Sequence, residues 1–143
     1  MTYLLDTNVC VEVIRSRSAS VIERIRSEPI GQIAIGTVTV AELGYGVAKS
    51  SQKTKNKVAL LQFLAPFEIL PFDQEAAQQY GIIRRGLERN GERIGPMDLL
   101  IAAQALSADL TLVTNNVGEF KRVQGLRVED WTRAPADGAD KAP

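Results

Sequence analysis

Apolar positions along the chain fall into short continuous runs and longer stripes of helical period, and the two alternate. Residues 3–5 are a brief apolar run ending at Asp6, the pattern of a buried strand. Thr7 and Asn8 are helix-starting residues, after which Val9, Cys10, Val13 and Ile14 share one helical face. A short helix follows over 19–26, ahead of Pro29, and 33–35 read as a second strand. Thr39 opens the next helix, with Val40, Leu43 and Val47 on its inner stripe. Gly44 and Gly46 weaken that helix by about 1 kcal/mol each relative to alanine, which predicts close approach of another backbone as compensation. Residues 54–64 form a helix with a lysine-rich start, and 68–70 a third strand. Asp73 caps a long helix whose stripe is Phe72, Ala76, Tyr80, Ile83 and Leu87. Residues 97–106 are apolar nearly all round, the mark of a central buried helix. A fourth strand at 110–113, the Thr114-Asn115-Asn116 turn and a fifth strand at 126–128 complete the pattern.

Strands that alternate with helices predict an α/β fold: a three-layer α/β/α sandwich around a mainly parallel sheet of about five strands. Residues 1–133 are expected to form one domain, and the Pro-, Ala-, Gly- and Asp-rich residues 134–143 a disordered tail. In such sheets, sites form outside the C-terminal ends of the strands. Asp6 follows the first strand directly, and Asn115 and Asn116 follow the fourth.

Composition narrows the chemistry. The chain of 143 residues suits one domain, and its 45% hydrophobic content can fill a core. Seventeen basic residues balance 17 acidic ones, so any nucleic acid must bind through a local patch. A single cysteine, Cys10, rules out an intramolecular disulfide and fits a reducing cytoplasm. The N-terminal apolar stretch is broken by Asp6, Glu12 and Arg15, unlike a signal peptide, and no run is long enough for a membrane span. The chain has no histidine, which excludes Ser-His-Asp triads and His-ligated zinc. Carboxylates are then the best remaining catalytic groups, and they favour hard cations such as magnesium or manganese.

Each acid also has a purely structural explanation. Asp6 ends a strand and starts a helix, where negative charge is favoured. Thr39-Val-Ala-Glu42 has the form of a capping box, in which the glutamate reaches back to the cap residue's own amide. Asp98 follows Gly95-Pro96, a good helix start, and a first-turn acid there is stabilised by the helix dipole. Asp73 reads as a cap, and Glu75 and Asp109 as solvated surface. The apolar surroundings of Asp6 and Asp98 tip the balance. Burying unpaired carboxylates is costly and clustering them adds repulsion, and a divalent cation relieves both. It also explains why three helix starts each carry an acid. Glu119, a few residues past the fourth strand, can reach the same end of the sheet.

Four segments taken together resemble the PIN-domain ribonucleases, specifically VapC-type toxins of bacterial toxin–antitoxin pairs. They are Tyr3-Leu-Leu-Asp6-Thr7-Asn8, Thr37-Val-Thr39-Val-Ala-Glu42-Leu-Gly-Tyr-Gly46, Ile94-Gly-Pro-Met-Asp98-Leu-Leu-Ile-Ala and Leu112-Val-Thr114-Asn115-Asn116-Val-Gly-Glu119-Phe120. The resemblance runs from Tyr3 to Trp131, and four motifs in order are far more specific than one. It implies Asp6, Glu42 and Asp98 as acids around Mg²⁺ or Mn²⁺, with Thr7, Asn8 and Thr114 as supporting polar groups. The family often carries an aspartate where this chain has Asn116. Asn116 holding a ligand water, and Glu119 supplying the charge one turn later, are the two alternatives for the fourth position. The resemblance also implies an RNA substrate (a transfer RNA among the candidates), a VapB-type antitoxin that blocks the site, and a homodimer.

The mechanism expected is metal-dependent hydrolysis of an RNA phosphodiester, with Asp6 and Asp98 on the metal and Glu42 direct or through water. Among the basic clusters, Arg15 and Arg17 are the expected RNA contacts, because they follow the helix that starts at the site. Lys49, Lys53, Lys55 and Lys57, and Arg84, Arg85, Arg89 and Arg93, form two further clusters. Two other readings remain open: an inactive nucleic-acid- or partner-binding domain, and another magnesium-dependent phosphoesterase.

Overall fold

The computed structural model of the chain describes residues 1–132. The tail expected at 134–143 lies outside the described residues. The elements run β1 (Tyr3–Leu5), α1 (Thr7–Ile14), α2 (Ala19–Ser27), β2 (Ile33–Gly36), α3 (Thr37–Lys49), α4 (Lys53–Leu64), β3 (Glu68–Leu70), α5 (Gln74–Arg89), α6 (Pro96–Ser107), β4 (Thr111–Val113), α7 (Val117–Phe120) and β5 (Val128–Glu129). All five strands pair in parallel, in the order β3-β2-β1-β4-β5. The α/β sandwich predicted from the alternating pattern is therefore the observed one.

Two apolar clusters cover the two faces of the sheet. On one face α5, α6 and Phe120 of α7 pack around Leu4, Ala34 and Leu112. On the other, α1 to α4 and Trp131 pack around Leu5, Ile33, Ile35 and Val113. Neighbouring residues of one strand serve opposite faces, as the pleat requires. Both faces being covered explains why the strands read as continuous apolar runs. The all-round apolar helix is α6, which buries Leu99, Ile101, Ala102, Ala103, Gln104 and Ala105. In α5 the striped residues Ala76, Ile83 and Leu87 are buried, and Asp73 caps the helix by accepting from the Ala76 amide.

Three local expectations are corrected. First, α3 begins at Thr37 with Gly36 as its cap, not at Thr39. Thr39 and Glu42 then lie within the helix, so no capping box forms, and Glu42 does not belong to the first turn. Second, a Cβ at Gly44 or Gly46 would meet nothing within 4 Å, so no backbone approaches there. The close approach is instead at Gly36, where a Cβ would stand 2.0 Å from Gln104 Oε1. Third, the final strand is Val128–Glu129 rather than 126–128, and a short helix, α7, stands between β4 and it.

The contact at Gly36 joins two helices that matter below. Gln104 of α6 is buried, and its Nε2 donates to the Leu70 carbonyl at 2.9 Å. Its Oε1 has no hydrogen-bond partner among the described residues and lies against the Gly36 backbone. Gly36→Ala should therefore destabilise the fold by about 1–3 kcal/mol through overpacking, read as a lower midpoint in chemical unfolding. An unchanged midpoint would show that the Gln104 amide swings aside freely.

Candidate active site

The strand order reverses direction between β1 and β4: β2 and β3 lie to one side, β5 to the other. That switch point opens a crevice at the C-terminal ends of the strands, the usual place for a site in an open parallel sheet. Asp6 leaves β1 at this crevice, and its amide donates to the Val113 carbonyl at 2.9 Å. Thr114 leaves β4 beside it, with its amide on the Glu129 carbonyl at 3.0 Å. Both residues are thus pinned by extensions of the sheet ladder.

Asp6 is 2% exposed. One carboxylate oxygen accepts from the Thr7 amide at 2.7 Å, the other from the Thr114 hydroxyl at 2.7 Å. Burial pushes its pKa up, the two donors resist this, and the charges of Glu42 and Glu119 add to the rise. Thr7 also donates its hydroxyl to Glu42 Oε1 at 2.6 Å. The glutamate offered as a cap for its own helix is in fact held by the first residue of α1. Thr39, buried one turn before Glu42, lies 3.1 Å from the Thr7 hydroxyl, so its role is in this network.

Asp98 comes from the first turn of α6. Burial, then the charges of Asp6 and Glu119, a hydrogen bond with Glu119 and the charge of Glu42 push its pKa up to about 7. Glu119 moves the other way. Burial opposes its ionisation, but the Gly95 amide at 2.8 Å, the Asn116 side-chain amide at 2.6 Å, Asp98 and the Arg122 charge hold it below the usual carboxylate range. The proton of the pair therefore rests on Asp98. Asn116 and Glu119 are bonded to each other at the crevice, and the Asn116 amide donates to the Thr114 hydroxyl at 2.9 Å.

Asp6, Thr7, Asn8, Glu42, Gly95, Pro96, Met97 and Asp98 line a cleft of about 280 Å³. Asn8 is exposed on its rim and bonds to none of the acids. Arg15 and Arg17 do not line it: Arg15 caps the far end of α1, and Arg17 lies beyond it. Sequence reasoning missed Thr39 as a support, the Gly95 amide as a donor and Met97 as an apolar lip that is 46% exposed. The Pro96-Met97-Asp98 adjacency was the signal for that lip.

The donor set suits a hard divalent cation, being oxygen throughout with neither histidine nor cysteine in the cleft. Burial has raised Asp6 and Asp98, the cost that a cation offsets. Among the described residues, no three acids stand closed around one point as a finished cage. Thr114→Val removes the hydroxyl that orients Asp6, and should lower metal affinity about 10–100-fold. Metal titration followed by thermal shift checks it, and an affinity equal to wild type would count against that orienting role.

The chain is similar to known proteins over most of its length. The PIN domain model matches residues 3–126. A tRNA(fMet)-specific endonuclease VapC of Shigella flexneri is 42% identical over 132 residues, 92% of this chain and 99% of that protein. Ribonuclease VapC2 of Rickettsia felis is 42% identical over 93% of this chain and all of that protein. Among solved structures, the DNA-bound VapBC of Salmonella typhimurium aligns with a TM-score of 0.88 at 37% identity, covering 92% of this chain and 98% of that one. Sequence motifs, sheet order and the placing of the acids at the β1–β4 crevice converge: the chain belongs to the PIN-domain family, and within it to the VapC-type ribonucleases.

Proposed function

We propose that the chain is an Mg²⁺-dependent endoribonuclease that acts as the toxin of a toxin–antitoxin pair, with Mn²⁺ able to substitute. The observation that carries this reading is the gathering of Asp6, Glu42, Asp98 and Glu119, from four separate segments of the chain, at one crevice. Asp6 and Asp98 are the metal ligands, and Glu42 is a further ligand or acts through water. When bound, the ion lowers the pKa of a water and offsets charge on the phosphate. Asp6 is held in one orientation by Thr7 and Thr114, so it meets the ion without losing side-chain freedom at that moment. Thr7 fixes Glu42 on the other wall. Glu119 holds the Asp98 proton in the metal-free state and is itself fixed by Gly95 and Asn116. Proton release from that pair accompanies metal binding.

The Shigella relative's name supports tRNA(fMet) as the first substrate to try. The VapBC complexes among the structural relatives support a VapB-type antitoxin as partner. A homodimer and a cytoplasmic location belong to the same reading. Among the described residues, no helix is long and apolar enough to cross a membrane. The test is incubation of the purified protein with tRNA(fMet) and bulk RNA, in Mg²⁺ or in chelator, followed by sequencing of the cleaved ends. Discrete cleavage in Mg²⁺ alone is expected. Cleavage that persists in chelator, or none with any RNA, would refute the proposal.

A further inference from the structure

The acidic crevice poses an electrostatic problem. Four carboxylates repel a polyanion, and one divalent cation does not cancel them. The chain's formal net charge is zero, so no global field compensates. Affinity for RNA must come from cations placed outside the crevice, and some arginines are already occupied. Arg24, Arg84 and Arg127 are each paired with an acid at 3.0–3.3 Å.

A groove of about 550 Å³ lies between α5 and residues 122–124. Arg85, Arg89 and Arg122 line it, and no acid does. Arg89 makes no ion pair among the described residues, and Arg85 has only a long contact to Glu88 at 3.8 Å. Gln79, Asn90 and Gln124 add side-chain amides that make no hydrogen bond among the described residues. The groove adjoins the crevice through residues 93–95: Arg122 donates to the Arg93 carbonyl, and the Gly95 amide donates to Glu119.

We infer that this groove is a second RNA subsite, which holds the backbone of the strand beyond the bond being cut. The inference rests on the ribonuclease reading above. It moves the RNA contacts from Arg15 and Arg17, at the far end of α1, to Arg85, Arg89 and Arg122. Guanidinium groups take the phosphates in bidentate fashion, and the free amides suit base or sugar edges. An acidic protein segment is less well matched, because the cations lie beside the crevice that the RNA must enter.

The test uses Arg85→Gln/Arg89→Gln in the full chain, with Arg15→Gln/Arg17→Gln as a charge-matched comparison. RNA binding is measured by fluorescence anisotropy across a salt series, in an Asp6→Asn background so that the strand stays intact. Each lost phosphate contact reduces the slope of log K against log salt by about 0.7 for a single strand, so the groove variant should lose about 1.4. It should also lose the affinity gained on lengthening the RNA from about 3 to about 12 nucleotides. In a background that retains Asp6, cleavage of the longer substrate should fall more than that of the shorter. Circular dichroism and melting temperature check that both variants fold. An unchanged slope, or an equal loss from the α1 pair, overturns the inference. So does loss of self-association or of antitoxin binding with RNA binding intact, which would make the groove a protein-docking surface. Failure of the unmodified protein to cleave RNA in Mg²⁺ would instead refute the ribonuclease reading itself.

Discussion

Asp6→Asn should lower Mg²⁺-dependent RNA cleavage by more than about 100-fold, beyond the effect of losing an orienting partner such as Thr114. The reason is geometric as well as electrostatic. Asp6 is the most buried of the four acids, and both of its oxygens are already committed to single donors, Thr7 and Thr114. An asparagine can keep its oxygen on the Thr7 amide, but its NH₂ then faces Thr114, whose hydroxyl must turn from donor to acceptor, so the network that orients the side chain changes. The charge that attracts the cation disappears at the same time. The measurement is single-turnover cleavage at saturating Mg²⁺, paired with a thermal-shift titration of the metal. Near wild-type cleavage by Asp6→Asn would remove Asp6 from the metal site. Lost cleavage with an unchanged metal response would place its role elsewhere in the reaction.

A reversal in stability is expected at Asp98. Its carboxyl is pushed up to about 7 by burial and by Asp6, Glu119 and Glu42, against roughly 3.9 in an unfolded chain. Between those values the metal-free folded protein keeps a proton that the unfolded chain has released. The folded state binds more protons, so this group makes stability fall as pH rises from about 4 to about 7, with the full penalty present above that. A bound divalent ion needs the deprotonated carboxylate. Added Mg²⁺ should therefore raise the melting temperature little at pH 5 and more at pH 8. Asp98→Asn removes the penalty and the ligand together. Without metal it should melt above wild type at pH 8, by a margin that narrows toward pH 5, and Mg²⁺ should stabilise it less than wild type. Its RNA cleavage should fall by more than about 100-fold, since a direct ligand is lost. A variant that melts below wild type at pH 8 without metal would show that Asp98 is not held at this electrostatic cost.

These two effects have opposite bearings on the fold, and that separates a functional acid from a helix cap. Asp73 caps α5 through the Ala76 amide, is exposed and faces none of the other acids. Its replacement by alanine removes a stabilising bond worth about 1 kcal/mol. Asp98, in the first turn of α6, is instead pushed up by burial and by neighbouring acids, a cost that the proposed metal would offset.

Local periodicity and chemistry determined much of this protein. The strand runs, the α5 stripe, the all-round apolar α6 and the absence of histidine were legible because each follows from a few neighbouring residues. The same local reasoning suggested Asp6 and Asp98, since an acid embedded among apolar neighbours is conspicuous in a linear string. It misplaced the start of the helix that carries Glu42, because a capping box and an interior helical glutamate differ by a two-residue shift of the helix start. The helix starts at Thr37, after Gly36, which packs against Gln104, a residue 68 positions away (104 − 36). Only the tertiary structure could decide which donors hold which acid. Thr7 reaches Glu42 across 35 positions and Thr114 reaches Asp6 across 108, and such pairs have no signature in spacing. The parallel sheet order brings β1 beside β4, and that neighbour relation turns separate helix-start acids into one crevice. The basic groove is of the same kind: Arg85 and Arg89 were visible as a helix-face cluster, but Arg122 joins them only after α7 folds back toward α5. Charge and period are local properties of a chain; mutual distance between acids is a property of the fold, and the chemistry depends on the second.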